Sequence, residues 1–364
     1  TSFFLRLFAG LVLWLLVVGG SWFLASEFTV EVALIATIGV SLFTQAFSVI
    51  DTYQQARERM SPSVQVRLLG SLANNAGKLA VVVMGLSVLW VGGFTAIANS
   101  IVAIGFTILA GRAGVRLFST RHFSAALGKT LLSRSWFLIL SSLGAAIYLR
   151  IDQVMLRHML SAAEVGVYSV AAGISETWLF IPSAITMAVF PSLVAARKSG
   201  GDYEGEFVRL FALLFSVGII CAVGATVLAP FAIPWLYGDE FARAAPVLLV
   251  YVWGAVFLGL RFGVSKWLIA EDLLQHSLTT HILGASVNIG LNLWFIPNWG
   301  IMGAAWATTL SYFIASFAAL ALFSTTRPVC SLMLKGIACA PAECLRHSAT
   351  LRAELKSFIG SRES

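Results

Sequence analysis

The chain has 364 residues, of which 59% are hydrophobic and 11% charged, with a formal net charge of +7. Soluble domains average roughly 45–50% apolar and about 25% charged residues, so a water-soluble fold is excluded: there is too little charge to cover its surface. The basic excess lies between the apolar blocks, which reads as membrane topology and not as nucleic-acid binding.

Taken in chain order, apolar blocks fall at 3–23, 32–49, 68–91, 94–110, 135–155, 165–196, 207–228, 247–268, 273–295 and 302–323. About twenty residues are needed to cross a hydrocarbon core of about 30 Å. No sustained period-2 alternation marks a β-barrel, and only helices otherwise satisfy the backbone in lipid. The pattern therefore predicts an all-α membrane protein with about ten transmembrane helices. The block at 165–196 is long for one span, and Pro182 and Pro191 are expected to kink or end it.

With the N-terminus placed inside, the inner loops carry Arg6, Arg57, Arg59, Arg67, the cations of 112–134, Arg197 and Lys198. The outer turns carry only Arg157 and Arg243, beside Glu27, Glu31, Asp239 and Glu240. This asymmetry predicts both termini in the cytoplasm. Cys221, Cys330, Cys339 and Cys344 match no metal-ligand spacing and read as free thiols. After Thr326, Leu351, Leu355, Phe358 and Ile359 follow helical spacing among basic residues. The expected structure is a cytoplasmic basic tail at 327–364, lying on anionic headgroups.

An internal repeat organises the chain. Shifted by 214 residues, Ala56-Arg57-Glu58 falls on Ala270-Glu271-Asp272, Leu69-Gly70 on Leu283-Gly284, Asn74 on Asn288 and Lys78 on Asn292. Both copies place Gly, Asn and a polar residue at i, i+4 and i+8, along one helical stripe. Two pseudo-symmetric lobes follow: 1–117 with about four spans and 135–326 with about six, joined by a basic cytoplasmic linker at 118–134.

Four segments together carry a family likeness: Arg150-Ile151-Asp152-Gln153-Val154-Met155-Leu156 with Glu164-Val165-Gly166-Val167-Tyr168-Ser169; Ile174-Ser175-Glu176-Thr177-Trp178 with Ile181-Pro182; Leu236-Tyr237-Gly238-Asp239-Glu240-Phe241; and Asn288-Ile289-Gly290-Leu291-Asn292 with Ile296-Pro297 and Gly300-Ile301-Met302-Gly303. The chain resembles the polysaccharide-transporter family, the Wzx-type flippases of lipid-linked oligosaccharides, over about residues 1–325. The resemblance implies two six-helix lobes around a central cavity, so 1–117 is expected to be a lobe lacking its first two helices. It implies a non-enzymatic flippase of the bacterial inner membrane, serving O-antigen, capsule or exopolysaccharide synthesis by alternating access. The implied partners are a polyprenyl-pyrophosphate-linked oligosaccharide, membrane lipids, and a polysaccharide polymerase with export proteins. No cofactor is expected beyond coupling to H⁺ or Na⁺.

Ionisable groups inside a bilayer are costly and usually face a bundle interior or a wet cavity. Lys78, Arg150 and Arg261 suit the phosphates of such a substrate and are the expected cavity-lining cations. Asp152 and Glu176 are the expected ion-coupling carboxylates. Each keeps a plainer reading: Lys78 snorkelling to the interface, Arg150 and Asp152 as interfacial groups with separate partners, and Glu176 as a bond between helices. Asn74, Asn288 and Asn292 read as helix-packing polar residues. Two other functions compete, a cation-coupled multidrug antiporter of the same superfamily and a membrane glycosyltransferase. The second needs a sizeable outer loop for a catalytic site, and the outer turns are short.

Overall fold

The computed structural model describes residues 1–25, 29–57, 61–115, 117 and 124–341. The described residues form helices and turns, with no strand among them. Glu27 of the expected outer turns, residues 118–123 of the basic linker and the expected tail helix around Leu351 and Leu355 lie outside them. The chain divides into two compact units, Thr1–Arg134 and Ser135–Ser364.

Among the described residues, eight segments are long and apolar enough to cross a membrane. One of them, Leu274–Ala321, has 48 residues and holds two spans. It breaks at Gly300, whose φ of 56° and ψ of −136° suit a residue without Cβ. A further helix, Ser61–Val83, has 23 residues but too polar a stripe to join the apolar set. Ten spans in two lobes are therefore consistent with the fold.

In the first unit, α1 (Ser2–Ala25) is followed by α2 (Val30–Gly39), α3 (Ser41–Thr44), a 3₁₀ turn and α4 (Val49–Ala56), then α5 (Ser61–Val83) and α6 (Leu89–Arg112). Phe3, Ala46, Ile50, Phe106 and Leu109 bring α1, the turn, α4 and α6 into one core. Arg67 on α5 pairs with the buried carboxylate of Asp51 on α4. The remaining apolar surface faces outward: Phe8 is 65% exposed and Phe23 85%. In a chain of this composition that is a lipid-facing surface, not a folding defect.

The second unit contains most of α7 (Ala125–Met159), then α8 (Ala162–Thr177), α9 (Phe180–Ser199), α10 (Tyr203–Tyr237), α11 (Ala244–Ala270) and α12 (Leu274–Phe313), extended by a π turn at Ile314–Ala318. Local sequence sets the starts and stops. The Ser161 hydroxyl accepts from the Glu164 amide at the start of α8, and the Asp202 carboxylate from the Gly205 amide at the start of α10. Gly200 ends α9 in the left-handed region. The block at 165–196 breaks at Trp178–Leu179, before either proline. Pro182 falls in the first turn of α9, where its missing N–H costs nothing, and Pro191 lies inside the helix. α11 is buried along most of its length and is the axis of the unit.

Residues 327–341, read from the sequence as the beginning of a cytoplasmic basic tail, form a helix against this unit. Val329, Cys330, Leu332 and Met333 are buried with Phe211, Trp267 and Leu320. Its apolar face has a partner that sequence order alone could not reveal.

The repeat reappears as matching contacts within each unit. In the first, a Cβ on Gly70 would meet the Val102 side chain and the Ala98 carbonyl, and Asn74 accepts from Thr95 Oγ1 at 3.2 Å. In the second, a Cβ on Gly284 would meet Ala315 and the Ser311 carbonyl, and Asn288 donates to Thr308 Oγ1 at 3.3 Å. The same Gly-x-x-x-Asn stripe thus seats the same small-residue seam of the following helix twice, with one residue of slippage.

Candidate functional site

Polar side chains are concentrated inside the second unit, where α7, α8, α11 and α12 converge. Asp152 on α7 is fully buried. Its Oδ2 accepts from the Tyr168 hydroxyl of α8 and from Thr308 Oγ1 of α12 at 3.0 Å, and its Oδ1 from the Gln153 amide at 2.7 Å. Both hydroxyls lie within donor reach of the same carboxylate oxygen and of each other, so one oxygen can accept from both. Behind it, Asn288 Nδ2 donates to Thr308 and Asn292 Nδ2 donates to Asn288 Oδ1 at 2.9 Å. Asn292 Oδ1 is buried without a hydrogen-bond partner among the described residues, an acceptor left over at the end of this series of bonds.

A second branch surrounds Glu176 on α8. Arg150 of α7 grips it with two nitrogens, at 2.7 and 3.3 Å, and the Tyr251 hydroxyl of α11 donates to it at 3.0 Å. Tyr251 also bonds Tyr312 of α12 at 3.0 Å. The Arg150 side chain remains 56% exposed while Glu176 is mostly covered. Arg150 and Asp152 lie on different sides of α7 and take separate partners, as residues two apart on a helix must.

The third branch holds Arg261 of α11, which is buried. Its guanidinium donates to the Ala315 carbonyl at 2.9 Å and Thr280 Oγ1 at 2.6 Å, and reaches His281 Nε2 at 3.3 Å. Ala315 lies in the π turn, where a widened ladder leaves carbonyls free for side-chain donors. His281 bonds Ser141 at 2.9 Å and stacks on Tyr148. Arg261 was expected to line a cavity. It is instead enclosed, and its donors are directed at groups of its own unit.

The three branches meet through rings: Tyr148 packs edge-on to Tyr312, and Tyr168 edge-on to Tyr251. Of the residues singled out from sequence, Arg150, Asp152, Glu176, Arg261, Asn288 and Asn292 fall in this network. Asn74 belongs to the first unit, and Lys78 is exposed there on α5. Tyr148, Tyr168, Tyr251, Thr308, Tyr312 and His281 were missed. Spacing holds a signal for some of them: Tyr148 and Asp152, Asn288 and Asn292, and Thr308 and Tyr312 are three polar pairs at i, i+4.

A polytopic helical bundle with a buried carboxylate bonded to several helices is the class of protein that the fold defines. Solved structures place it more narrowly. A multidrug-resistance MATE transporter in its inward-facing conformation superposes with a TM-score of 0.75 over 92% of this chain and 80% of that one, at 15% identity. The lipid II flippase MurJ gives 0.62 over 86% and 66%, at 13% identity. These likenesses concern the fold.

The chain belongs to the polysaccharide biosynthesis protein family, which matches residues 1–196. It is similar to the probable flippase AglR of Haloferax volcanii, 29% identical over 47% of this chain and 37% of that protein. The probable low-salt glycan biosynthesis flippase Agl15 of the same organism is 23% identical over 61% and 50%. The uncharacterized membrane protein EpsK of Bacillus subtilis is 25% identical over 90% and 68%. The chain thus matches half or less of the length of the two Haloferax relatives.

Proposed function

We propose that the protein is a flippase that moves a polyprenyl-pyrophosphate-linked oligosaccharide across a bacterial inner membrane, coupled to a cation at Asp152. Family membership supports the polysaccharide pathway. The observation that carries the coupling is the buried Asp152, ringed by Tyr168 and Thr308 with the free acceptor of Asn292 in the same chain of contacts. A proton or Na⁺ arriving at Asp152 must reorder hydroxyls on α8 and α12 together, which is what coupling by alternating access requires. Arg150 is the substrate-facing cation on this reading. It is paired with Glu176 yet half-exposed, so Glu176 orients it and its remaining N–H donors are open to a phosphate. Lys78, exposed on α5 of the first unit, is a separate phosphate-binding cation on this reading. Arg261 contributes only in an arrangement of α11 and α12 that releases Thr280 and Ala315. No covalent step is needed, both termini are cytoplasmic, and a polymerase with export proteins receives the product.

The test is transbilayer movement in proteoliposomes carrying the lipid-linked oligosaccharide, with the glycan's exposure read by a membrane-impermeant lectin. Movement driven by an imposed H⁺ or Na⁺ gradient is expected. The second reading, a cation-coupled multidrug antiporter, draws on the fold shared with MATE transporters. Gradient-driven extrusion of a cationic dye without glycan movement would establish that reading instead, and sugar transfer by the purified protein would overturn both.

A further inference from the structure

The first unit holds a cleft of about 580 Å³ where the end of α4, the start of α5 and the end of α6 meet. Arg57 and Arg112 line it, and none of its described lining residues is acidic. Arg57 lies over the Tyr53 ring, 4.8 Å from its centroid, which holds the guanidinium against the wall. Neither arginine forms an ion pair among the described residues. Pro62 and Gln65 bring the start of the 23-residue α5 to the same cleft, beside the end of α6. Gln54 and Gln65 add amides, while Val66, Leu69 and Ile108 make the rest of the lining apolar.

We propose that this cleft binds the phosphate of a lipid at the membrane surface. Two arginines match a phosphate monoanion or diester. The amides match hydroxyls beside it. The apolar lining, between helix ends at the interface, accepts the first methylenes of a lipid tail. A soluble anion would gain nothing from that apolar part. The polar network of the second unit is not involved, and only the pyrophosphate arm of the test ties the cleft to the proposed transport.

The experiment uses the full chain in detergent and reads lipid binding by native mass spectrometry. The probes are phosphatidylglycerol, polyprenyl pyrophosphate, phosphatidylcholine and inorganic phosphate. Arg57→Gln with Arg112→Gln is compared with Lys198→Gln plus Lys335→Gln, which removes the same charge elsewhere. The cleft pair is expected to lose on the order of tenfold or more in affinity relative to the control pair. Loss in the phosphatidylglycerol arm assigns the site to bilayer lipid, and loss confined to the pyrophosphate arm assigns it to the transported carrier; both support the cleft. Leu69→Trp, which fills the cleft at constant charge, is expected to weaken binding in the same arm. Equal binding by the cleft and control pairs in both arms overturns the proposal. So does inorganic phosphate binding as tightly as the lipids, or phosphatidylcholine as tightly as phosphatidylglycerol.

Discussion

Replacing Asp152 separates the carboxylate's charge from its hydrogen bonds. Asp152→Asn and Asp152→Ala both remove the buried charge, so the desolvation relief is common to the two. Asn keeps an oxygen for Tyr168 and Thr308; Ala does not. In the Ala variant those hydroxyls, already 3.2 Å apart, can satisfy one another only once, since one bond uses one proton. One buried donor is then orphaned, at about 1–3 kcal/mol. The Gln153 amide adds little because it lies in the α7 ladder. Ala is therefore expected to be less stable than Asn by about 1–3 kcal/mol, read by SDS titration in mixed micelles. Asn is expected to fold like the parent but lose gradient-driven glycan movement. Equal stability of the two variants would refute the hydrogen-bond accounting, and gradient-driven transport by Asp152→Asn would refute the coupling role.

Arg150→Ala is expected to change stability by no more than about 1 kcal/mol, because its pair with Glu176 is solvent-exposed on the arginine side. Transport should fall sharply in the same variant, so an inert Arg150→Ala removes the residue from the substrate path. At the seam of the repeat, Gly70→Ala drives a Cβ into the Val102 side chain and should cost about 1–3 kcal/mol. Val102→Ala should recover most of that in a double-mutant cycle, and simple additivity would show that the seam is not close-packed. With Cys221 and Cys344 changed to Ser, a maleimide should label the exposed Cys339 well before Cys330 at neutral pH. Burial pushes the Cys330 thiol up to about 11, so its thiolate, and its labelling rate, should rise only as pH approaches that value. Equal rates at neutral pH would mean that helix 327–341 is not docked.

Composition and block length were enough to determine the solvent of this protein, its helical class and the approximate number of spans, because lipid leaves a backbone few alternatives. The Gly-x-x-x-Asn stripe was also legible, since i, i+4 neighbours share a helix face whatever lies opposite. What lies opposite was decided by tertiary structure. Arg150 finds Glu176 across 26 residues, and Asp152 finds Thr308 across 156. Nothing in a span's own sequence names the helix that will face it. For the same reason Arg261 and Lys78 looked alike as intramembrane cations, yet packing enclosed the first and exposed the second. The tyrosines went unnoticed because an aromatic ring in an apolar run has a sufficient reason to be there. Only the convergence of four helices turns their hydroxyls into a network.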